Sequence, residues 1–336
     1  MINIGINGFG RIGRMVCRSI LENYDNVNIV AINDPFLKID DMVYLFKYDS
    51  THGRFKGNII IEDNKIVIGK HKIMIFAYKN PSDIKWYLAK AEYICESTGV
   101  FLTRNKAKGH LQNGPMKVII TGLSYDVDMF VMGVNNNRYI NQDIVSNASC
   151  TTNCLAPLVK IINDEYGIIE GLVTTIHAAT TSQKTVDSGG INKRRSFRSA
   201  LCNIIPGPTK AAKAISKIIP EMKNKISGMA FRIPIPDVSV IDFTFRTKKC
   251  VNYMDIVQLI KDKSESKEMN GILGYTEDDV VSMDFLNDTR SCIVDLKAGI
   301  QLNNNFIKLV AWYDNEYAYS NRVVDLILYM DKCKKN

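Results

Sequence analysis

A short alternating segment, Ile2-Asn3-Ile4-Gly5-Ile6, runs directly into Gly8-Phe9-Gly10-Arg11-Ile12-Gly13. Alternation of apolar and small or polar residues reads as a strand, and Arg11 to Leu21 reads as a helix. Asn28-Ile29-Val30-Ala31-Ile32 follows as a fully buried strand, of the kind found inside parallel sheets. Glycine triplets at this spacing arise by chance, so the strand before and the helix after carry the meaning. In that setting the glycines permit a tight turn, and the helix N-terminus faces a pyrophosphate with its unpaired N–H groups. Asp34 stands about twenty residues past the last glycine, where a carboxylate accepts hydrogen bonds from the adenine ribose. The same charge repels a 2′-phosphate, so the expected cofactor is NAD rather than NADP.

The rest of the first half keeps the strand–helix rhythm. Apolar runs at Ile73 to Ala77, Tyr93 to Glu96, Val118 to Thr121 and Phe130 to Val134 are expected strands. Asn58 to Gly69 reads as a small antiparallel excursion turning at Glu62-Asp63-Asn64-Lys65. Such alternation predicts a doubly wound parallel sheet covered by helices on both faces. Beyond residue 150 the runs become longer and β-branched: Gly171 to Thr181, Ile226 to Phe231, Val238 to Thr247, Ser291 to Asp295 and Phe306 to Tyr313. Helices are expected near Pro208 to Ile218 and Met254 to Lys263, and again over Asn321 to Met330. The fold class is therefore α/β: a Rossmann-type parallel sheet plus an α+β domain with a mixed, largely antiparallel sheet. A chain of 336 residues suits about two domains.

The chemistry concentrates in Ser146-Asn147-Ala148-Ser149-Cys150-Thr151-Thr152-Asn153-Cys154. Asn147 and Ser149 are helix-capping types, and Leu155, Leu158, Val159 and Ile162 continue at helical spacing. A thiol in the first turn feels the positive end of the helix dipole, which favours the thiolate. An imidazole nearby would complete the equipment for covalent catalysis on a carbonyl. Taken alone, Cys150 is equally well a buried structural cysteine. The eight cysteines are irregularly spaced, and Cys150 with Cys154 falls short of the four ligands zinc requires, so no metal is expected. Met1 to Ile6 lacks a signal peptide's basic flank, and no run reaches the eighteen or more apolar residues of a membrane span. A cytoplasmic protein with reduced thiols is expected.

Ile6-Asn7-Gly8-Phe9-Gly10-Arg11-Ile12-Gly13-Arg14, Ile32-Asn33-Asp34-Pro35-Phe36, Glu96-Ser97-Thr98-Gly99-Val100-Phe101 and the Cys150 run form a specific set. Gly228-Met229-Ala230-Phe231-Arg232 and Trp312-Tyr313-Asp314-Asn315-Glu316 extend it into the second half. Over nearly its whole length the chain resembles phosphorylating glyceraldehyde-3-phosphate dehydrogenase. The resemblance implies an NAD-binding domain at 1–149, a catalytic domain at 150–314 and a C-terminal helix at 315–336 returning to the first. It implies Cys150 as nucleophile and His177 as base. Only His177 of the four histidines lies in a predicted strand; His52, His71 and His110 sit in turn-like or charged surroundings.

Carried over with the same resemblance are cofactor contacts at Gly8, Gly10, Arg11, Ile12, Gly13, Asp34, Lys79 and Thr121, with Asn315 at the nicotinamide amide. Thr180 and Arg232 match the substrate-phosphate positions. Ser149, Thr151, Thr209 and Lys210 match those for inorganic phosphate, with Arg195 close by. The implied substrates are D-glyceraldehyde 3-phosphate and inorganic phosphate, and the implied assembly is a homotetramer. The chain departs from the family pattern at Lys210, where a glycine is usual, at Phe197, where a small residue is common, around Thr180 at Ala179 and Thr181, and at Ala318. Two other readings remain. One is a related dehydrogenase of a longer phosphorylated sugar such as erythrose 4-phosphate. The other is an RNA-binding protein, motivated by the formal charge of +8 and the Lys193–Arg198 cluster. RNA stands only as a secondary role, because both Cys150 and His177 are retained.

Overall fold

In the computed structural model, which describes residues 1–189 and 194–334, the chain divides into two compact units. The first comprises Met1–Phe130, Asn136–Ala148 and the chain from Ser320; the second comprises Val131–Asn135 and Ser149–Tyr319. The basic positions Lys193 and Lys335 lie outside the described residues.

The first unit contains β1 (Ile2–Asn7), α1 (Arg11–Asn23), β2 (Val27–Asn33), α2 (Ile39–Lys47), β3 (Ile60–Glu62), β4 (Lys65–Ile68), β5 (His71–Phe76), β6 (Tyr93–Glu96), α3 (Arg104–Ala107), β7 (Lys117–Ile120) and β8 (Ile144–Ser146). The strands form one sheet in the order β3-β4-β5-β2-β1-β6-β7-β8, parallel from β5 to β8. The chain leaves β1 for β2 on one side and later returns to β6 on the other, so a topological switch point lies at β1. Asn7 stands opposite both Asn33 and Glu96 at the carboxyl ends of these three strands, which is where such sheets bind ligands. The glycine turn follows directly. Gly8 has φ +87, and a Cβ on Gly13 would stand 2.0 Å from the Gly8 carbonyl oxygen, so α1 packs against the turn only with glycine there.

The expected hairpin is present: β3 pairs antiparallel with β4, and Asp63 and Asn64 take φ +45 and +60. Two left-handed residues in succession are what a tight hairpin turn needs, and Asp and Asn tolerate that conformation. The expected strand at Phe130 to Val134 is not formed. Asn135 Oδ1 accepts the Val131 N–H and Gly133 has φ +77, so this apolar run is a buried turn. The last strand of the sheet is instead β8, three residues long and without a periodic signal. On one face of the sheet short 3-10 turns, rather than a long helix, bring Ile84, Trp86 and Ala89 onto Val30, Ile94, Val118 and Ile120.

The second unit contains α4 (Cys150–Tyr166), β9 (Ile168–Ala178), β10 (Ile205–Pro208), α5 (Ala211–Ile218), β11 (Ile226–Ile233), β12 (Ser239–Thr247), α6 (Tyr253–Glu265), β13 (Leu273–Thr276), β14 (Cys292–Asn303), β15 (Phe306–Tyr313) and the start of α7 (Tyr317–Lys334). Its sheet runs β10-β11-β9-β12-β15-β14-β13. Only β11 with β9 and β13 with β14 are parallel, which is the mixed, largely antiparallel sheet expected. Three details differ from expectation. β10 and β13 are additional, β14 extends to Asn303, and Pro208 ends a strand while the helix begins at Ala211.

Period-two alternation puts Val173, Thr175 and His177 of β9 on the buried face that α4 packs against. Leu155, Leu158, Val159 and Ile162 of α4 are fully buried there. Each such side chain stabilises the fold by roughly 1.5–3 kcal/mol, which holds the first residue of α4 in place over the strand.

Candidate active site

Cys150 is the first residue of α4, capped by Ser149, whose Oγ accepts the Thr152 N–H at 3.1 Å. Ser149, not Asn147, is the cap. Ala148, immediately before it, is buried with φ +56, a conformation costing a non-glycine residue about 1–2 kcal/mol. The surrounding packing therefore enforces the turn that aims the thiol. Cys150 Sγ lies 3.6 Å from His177 Nε2. The backbone N–H and hydroxyl of Thr151 lie where they favour the thiolate.

His177 Nδ1 lies 2.8 Å from the Ala178 carbonyl oxygen and 2.5 Å from Arg232 Nη1. The ring thus has two arrangements. With Nδ1–H donating to Ala178, Nε2 accepts from the thiol; with Nδ1 accepting from Arg232, Nε2–H donates to a thiolate. Arg232 comes to this place because β11 runs parallel to β9 with Arg232 opposite His177.

Burial, then the Arg232 charge, push His177 down to about 3, against the Ala178 carbonyl. Burial pushes the Cys150 thiol up, although Arg232 and the Thr151 donors pull it down. The sequence expectation of a helix-lowered thiol pKa is corrected here. Although Cys150 keeps some solvent exposure, desolvation outweighs the donors, and the pair rests as neutral thiol and neutral imidazole. Cys154, one turn further, is a buried free thiol and is pushed well above the usual thiol range by burial.

Of the remaining expected site residues in the second unit, Thr151 is tied to this pair through Tyr313, and the others are described by their own partners. Thr151 Oγ1 and Thr175 Oγ1 each lie 2.9 Å from the Tyr313 hydroxyl, and the Tyr313 ring stands edge-on to His177 at 6.0 Å. Thr180 Oγ1 donates to Gln183 Oε1 at 2.9 Å. Thr209 Oγ1 accepts the Ala211 N–H at 3.2 Å, and Lys210 precedes α5. Arg195 is exposed on a 3-10 turn. Asn315 is buried, its Oδ1 accepting the Ser239 hydroxyl at 2.6 Å. Sequence reasoning missed Tyr313 and Ser239 as site residues. Tyr313 lies within the Trp312–Glu316 motif, whereas Ser239 carries no local signal.

In the first unit a cavity of about 310 Å³ opens at the switch point. Gly8, Gly10, Asp34 and Lys79 line it, as do Ser97 and Thr98 of the Glu96–Phe101 motif, whose role only the fold reveals. Asp34 Oδ2 accepts the Phe9 N–H and Oδ1 the Phe36 N–H, both at 2.9 Å; each oxygen has a further lone pair. A Cβ on Gly10 would meet no protein atom within 4 Å. Packing therefore does not require glycine there, and its effect is to leave the backbone open to a ligand beside the helix N-terminus. The donor set fits a dinucleotide. Arg11, Ile12, Gly13 and Thr121 do not line the cavity. The Arg11 guanidinium pairs with Asp49 at 2.5 Å, so what it turns to the helix start is its backbone N–H.

Beneath the cavity floor, Trp86 Nε1–H donates to His110 Nδ1 at 3.1 Å and His110 Nε2–H donates to Glu96 at 2.9 Å. Asn7 Nδ2 donates to the same Glu96 oxygen at 2.5 Å. His110 is thus a fully buried network residue, and His52 and His71 are buried too, with His71 opening β5. His52 does stand in a turn, as expected, whereas the strand residue His71 and the networked His110 depart from the expectation. What separates His177 from the others is the facing thiol.

Among the described residues no helix is long and apolar enough to cross a membrane. Residues 2–104 match the family model of the glyceraldehyde 3-phosphate dehydrogenase NAD binding domain, and residues 149–315 match that of the C-terminal domain. The chain is 56% identical over 335 residues to glyceraldehyde-3-phosphate dehydrogenase 2 of Caenorhabditis elegans, covering 98% of each chain. It is 54% identical over 336 residues to the cytosolic glyceraldehyde-3-phosphate dehydrogenase of Mesembryanthemum crystallinum, covering 99% of each. The cytosolic enzyme GAPC2 of Arabidopsis thaliana is 54% identical over 334 residues, with 98% of each chain covered.

Proposed function

The chain belongs to the glyceraldehyde-3-phosphate dehydrogenase family and is an NAD-dependent oxidoreductase; we propose that it converts D-glyceraldehyde 3-phosphate and inorganic phosphate to 1,3-bisphosphoglycerate through a thioester on Cys150. The observation that carries this reading is the 3.6 Å approach of Cys150 Sγ to His177 Nε2 at the start of a capped helix. Residues 1–149 are the NAD-binding domain, 150–314 the catalytic domain, and 315–336 the returning helix. By analogy with the cytosolic relatives the protein acts in the cytoplasm, as a homotetramer.

The neutral pair is suited to the first step. Nε2 accepts the thiol proton as sulfur attacks the aldehyde carbon, and the Thr151 N–H and hydroxyl steady the sulfur's charge. The imidazolium then gives that proton to the hemithioacetal alkoxide, and the neutral ring takes it back from the hydroxyl as hydride leaves the carbon. NAD, when bound, supplies the hydride acceptor. Inorganic phosphate attacks the thioester carbon, the C–S bond breaks, and the Cys150 thiolate leaves. Arg232 and Thr180 bind the substrate's phosphate. Ser149, Thr151, Thr209, Lys210 and Arg195 serve the attacking phosphate. Gly8, Gly10, Arg11, Ile12, Gly13, Asp34, Lys79 and Thr121 hold NAD, with Asn315 at its nicotinamide amide.

The test is NADH formation from D-glyceraldehyde 3-phosphate, with and without inorganic phosphate, for the unmodified protein, Cys150→Ser and His177→Asn. Sustained turnover should require phosphate, vanish in Cys150→Ser, and fall by roughly 10²–10⁴ in His177→Asn. Phosphate-independent turnover, or full activity in Cys150→Ser, contradicts the proposal. Faster turnover of erythrose 4-phosphate would redirect it to the longer sugar.

A further inference from the structure

Ser239 opens β12, is buried, and has its hydroxyl bonded on two sides. It accepts the Ala178 N–H at 3.1 Å and lies 2.6 Å from Asn315 Oδ1. With one lone pair taken by Ala178, the hydroxyl proton is available for Asn315. A separation of 2.6 Å suits O–H···O, usually about 2.7–2.8 Å, and is short for N–H···O at about 2.9–3.0 Å. The contact therefore fixes which end of the amide faces Ser239. The oxygen does, and the nitrogen points elsewhere. Asn315 as a whole is 5% exposed, and its amide oxygen is committed to Ser239, so the N–H donors are turned away from Ser239.

The backbone on either side is pinned. Asp314 Oδ1 accepts the N–H groups of Glu316 and Tyr317 at 2.9 and 2.6 Å, and Oδ2 that of Asn287 at 2.8 Å. The turn carrying Asn315 is thereby fixed. Val238, directly before Ser239, is fully buried with φ +59, a conformation that a β-branched residue adopts only under constraint. Asp237 Oδ1 accepts its N–H at 2.8 Å. Strain of this kind collects where a neighbouring group must be aimed. Ala178, the other partner of Ser239, offers its carbonyl to His177 Nδ1. One hydroxyl thus touches both the Asn315 amide and the residue that seats the imidazole.

We infer that Ser239 is a positioning residue: it holds the Asn315 oxygen so that the amide N–H groups face the carboxamide oxygen of the nicotinamide, and ties that orientation to the backbone seating His177. The inference rests on the reading of Asn315 as the nicotinamide contact.

The test is equilibrium binding of NAD and of ADP-ribose, which lacks the nicotinamide. Ser239→Ala should raise the Kd for NAD roughly tenfold, about the effect of one well-placed hydrogen bond, and leave that for ADP-ribose within about twofold. Asn315→Ala should match it, with the double variant no weaker than the weaker single. Ser239→Cys, similar in size but a poor hydrogen-bonding group, should fall between and serves where the alanine variant does not fold. On the unmodified protein, thionicotinamide adenine dinucleotide, whose sulfur is a weaker acceptor, should bind several-fold more weakly than NAD. Parallel weakening of NAD and ADP-ribose, no change in either, or equal affinity for the thio analogue overturns the inference. If the unmodified protein still shows phosphate-dependent aldehyde oxidation, only the role of Ser239 falls; loss of that activity instead strikes the functional reading.

Discussion

Replacing Asp34 by Asn separates charge from shape in the cofactor cavity. The carboxylate is 8% exposed, lines the 310 Å³ cavity and accepts two backbone N–H groups. A phosphate charge brought to about 4 Å from it meets a repulsion of about 4 kcal/mol at an effective dielectric constant of about 20. That is roughly a thousandfold in affinity against NADP. Asn removes the charge but offers only one acceptor oxygen, so either Phe9 or Phe36 loses its bond, a cost of about 1–3 kcal/mol. The expected outcome is three-part. The kcat/KM for NAD falls roughly tenfold, the NADP-to-NAD ratio rises by about a hundredfold or more, and Tm falls by about 2–4 °C per kcal/mol lost. Initial rates with both cofactors and a thermal melt measure all three. Equal use of NAD and NADP by the unmodified protein, or an equal loss with both cofactors in Asp34→Asn, would refute the reasoning.

Iodoacetate should label Cys150 before Cys154 and abolish turnover, because Cys150 keeps solvent exposure and faces the His177 imidazole whereas Cys154 is buried; peptide mapping that finds Cys154 labelled first contradicts this. Arg232→Gln should move the pH midpoint of Cys150 alkylation upward, since the Arg232 charge lowers the thiol pKa; a midpoint that stays or falls is the contrary result. His177 titrates near 3 in the fold but near 6.5 unfolded, so its contribution to stability is complete above about pH 6.5 and is lost as pH falls towards 3. Denaturant midpoints of His177→Asn should therefore decline less over that window than those of the unmodified protein. Lys210→Gly should shift the KM for phosphate more than that for the aldehyde; unchanged phosphate dependence and salt sensitivity would make Lys210 a surface residue.

The elements legible in the sequence were those whose local pattern and tertiary role agree. β1, the glycine turn and α1 combine alternation, special backbone geometry and helical spacing, and the Asp63–Asn64 turn carries its own conformational preference. Phe130 to Val134 misled because an apolar run is equally satisfied by a buried turn, and Gly133 and Asn135 were the residues that made it one. β8, β10 and β13 are too short for periodicity to register. The histidines show the limit for side chains. His110 reads as a loop residue in the sequence, yet partners distant along the chain, Trp86 and Glu96, bury it. Ser239 was invisible for the same reason: Ala178 and Asn315 are brought to it by β9 and the turn after β15.

The claim that most needs testing is the thioester on Cys150. The protein is mixed with D-glyceraldehyde 3-phosphate and NAD in the absence of inorganic phosphate, quenched in acid, digested and examined by mass spectrometry. The account predicts the 3-phosphoglyceroyl group on the peptide bearing Cys150, formed with one equivalent of NADH per site and discharged on adding phosphate. An acyl group on another residue, or NADH formed with Cys150 unmodified and no dependence on phosphate, would contradict it.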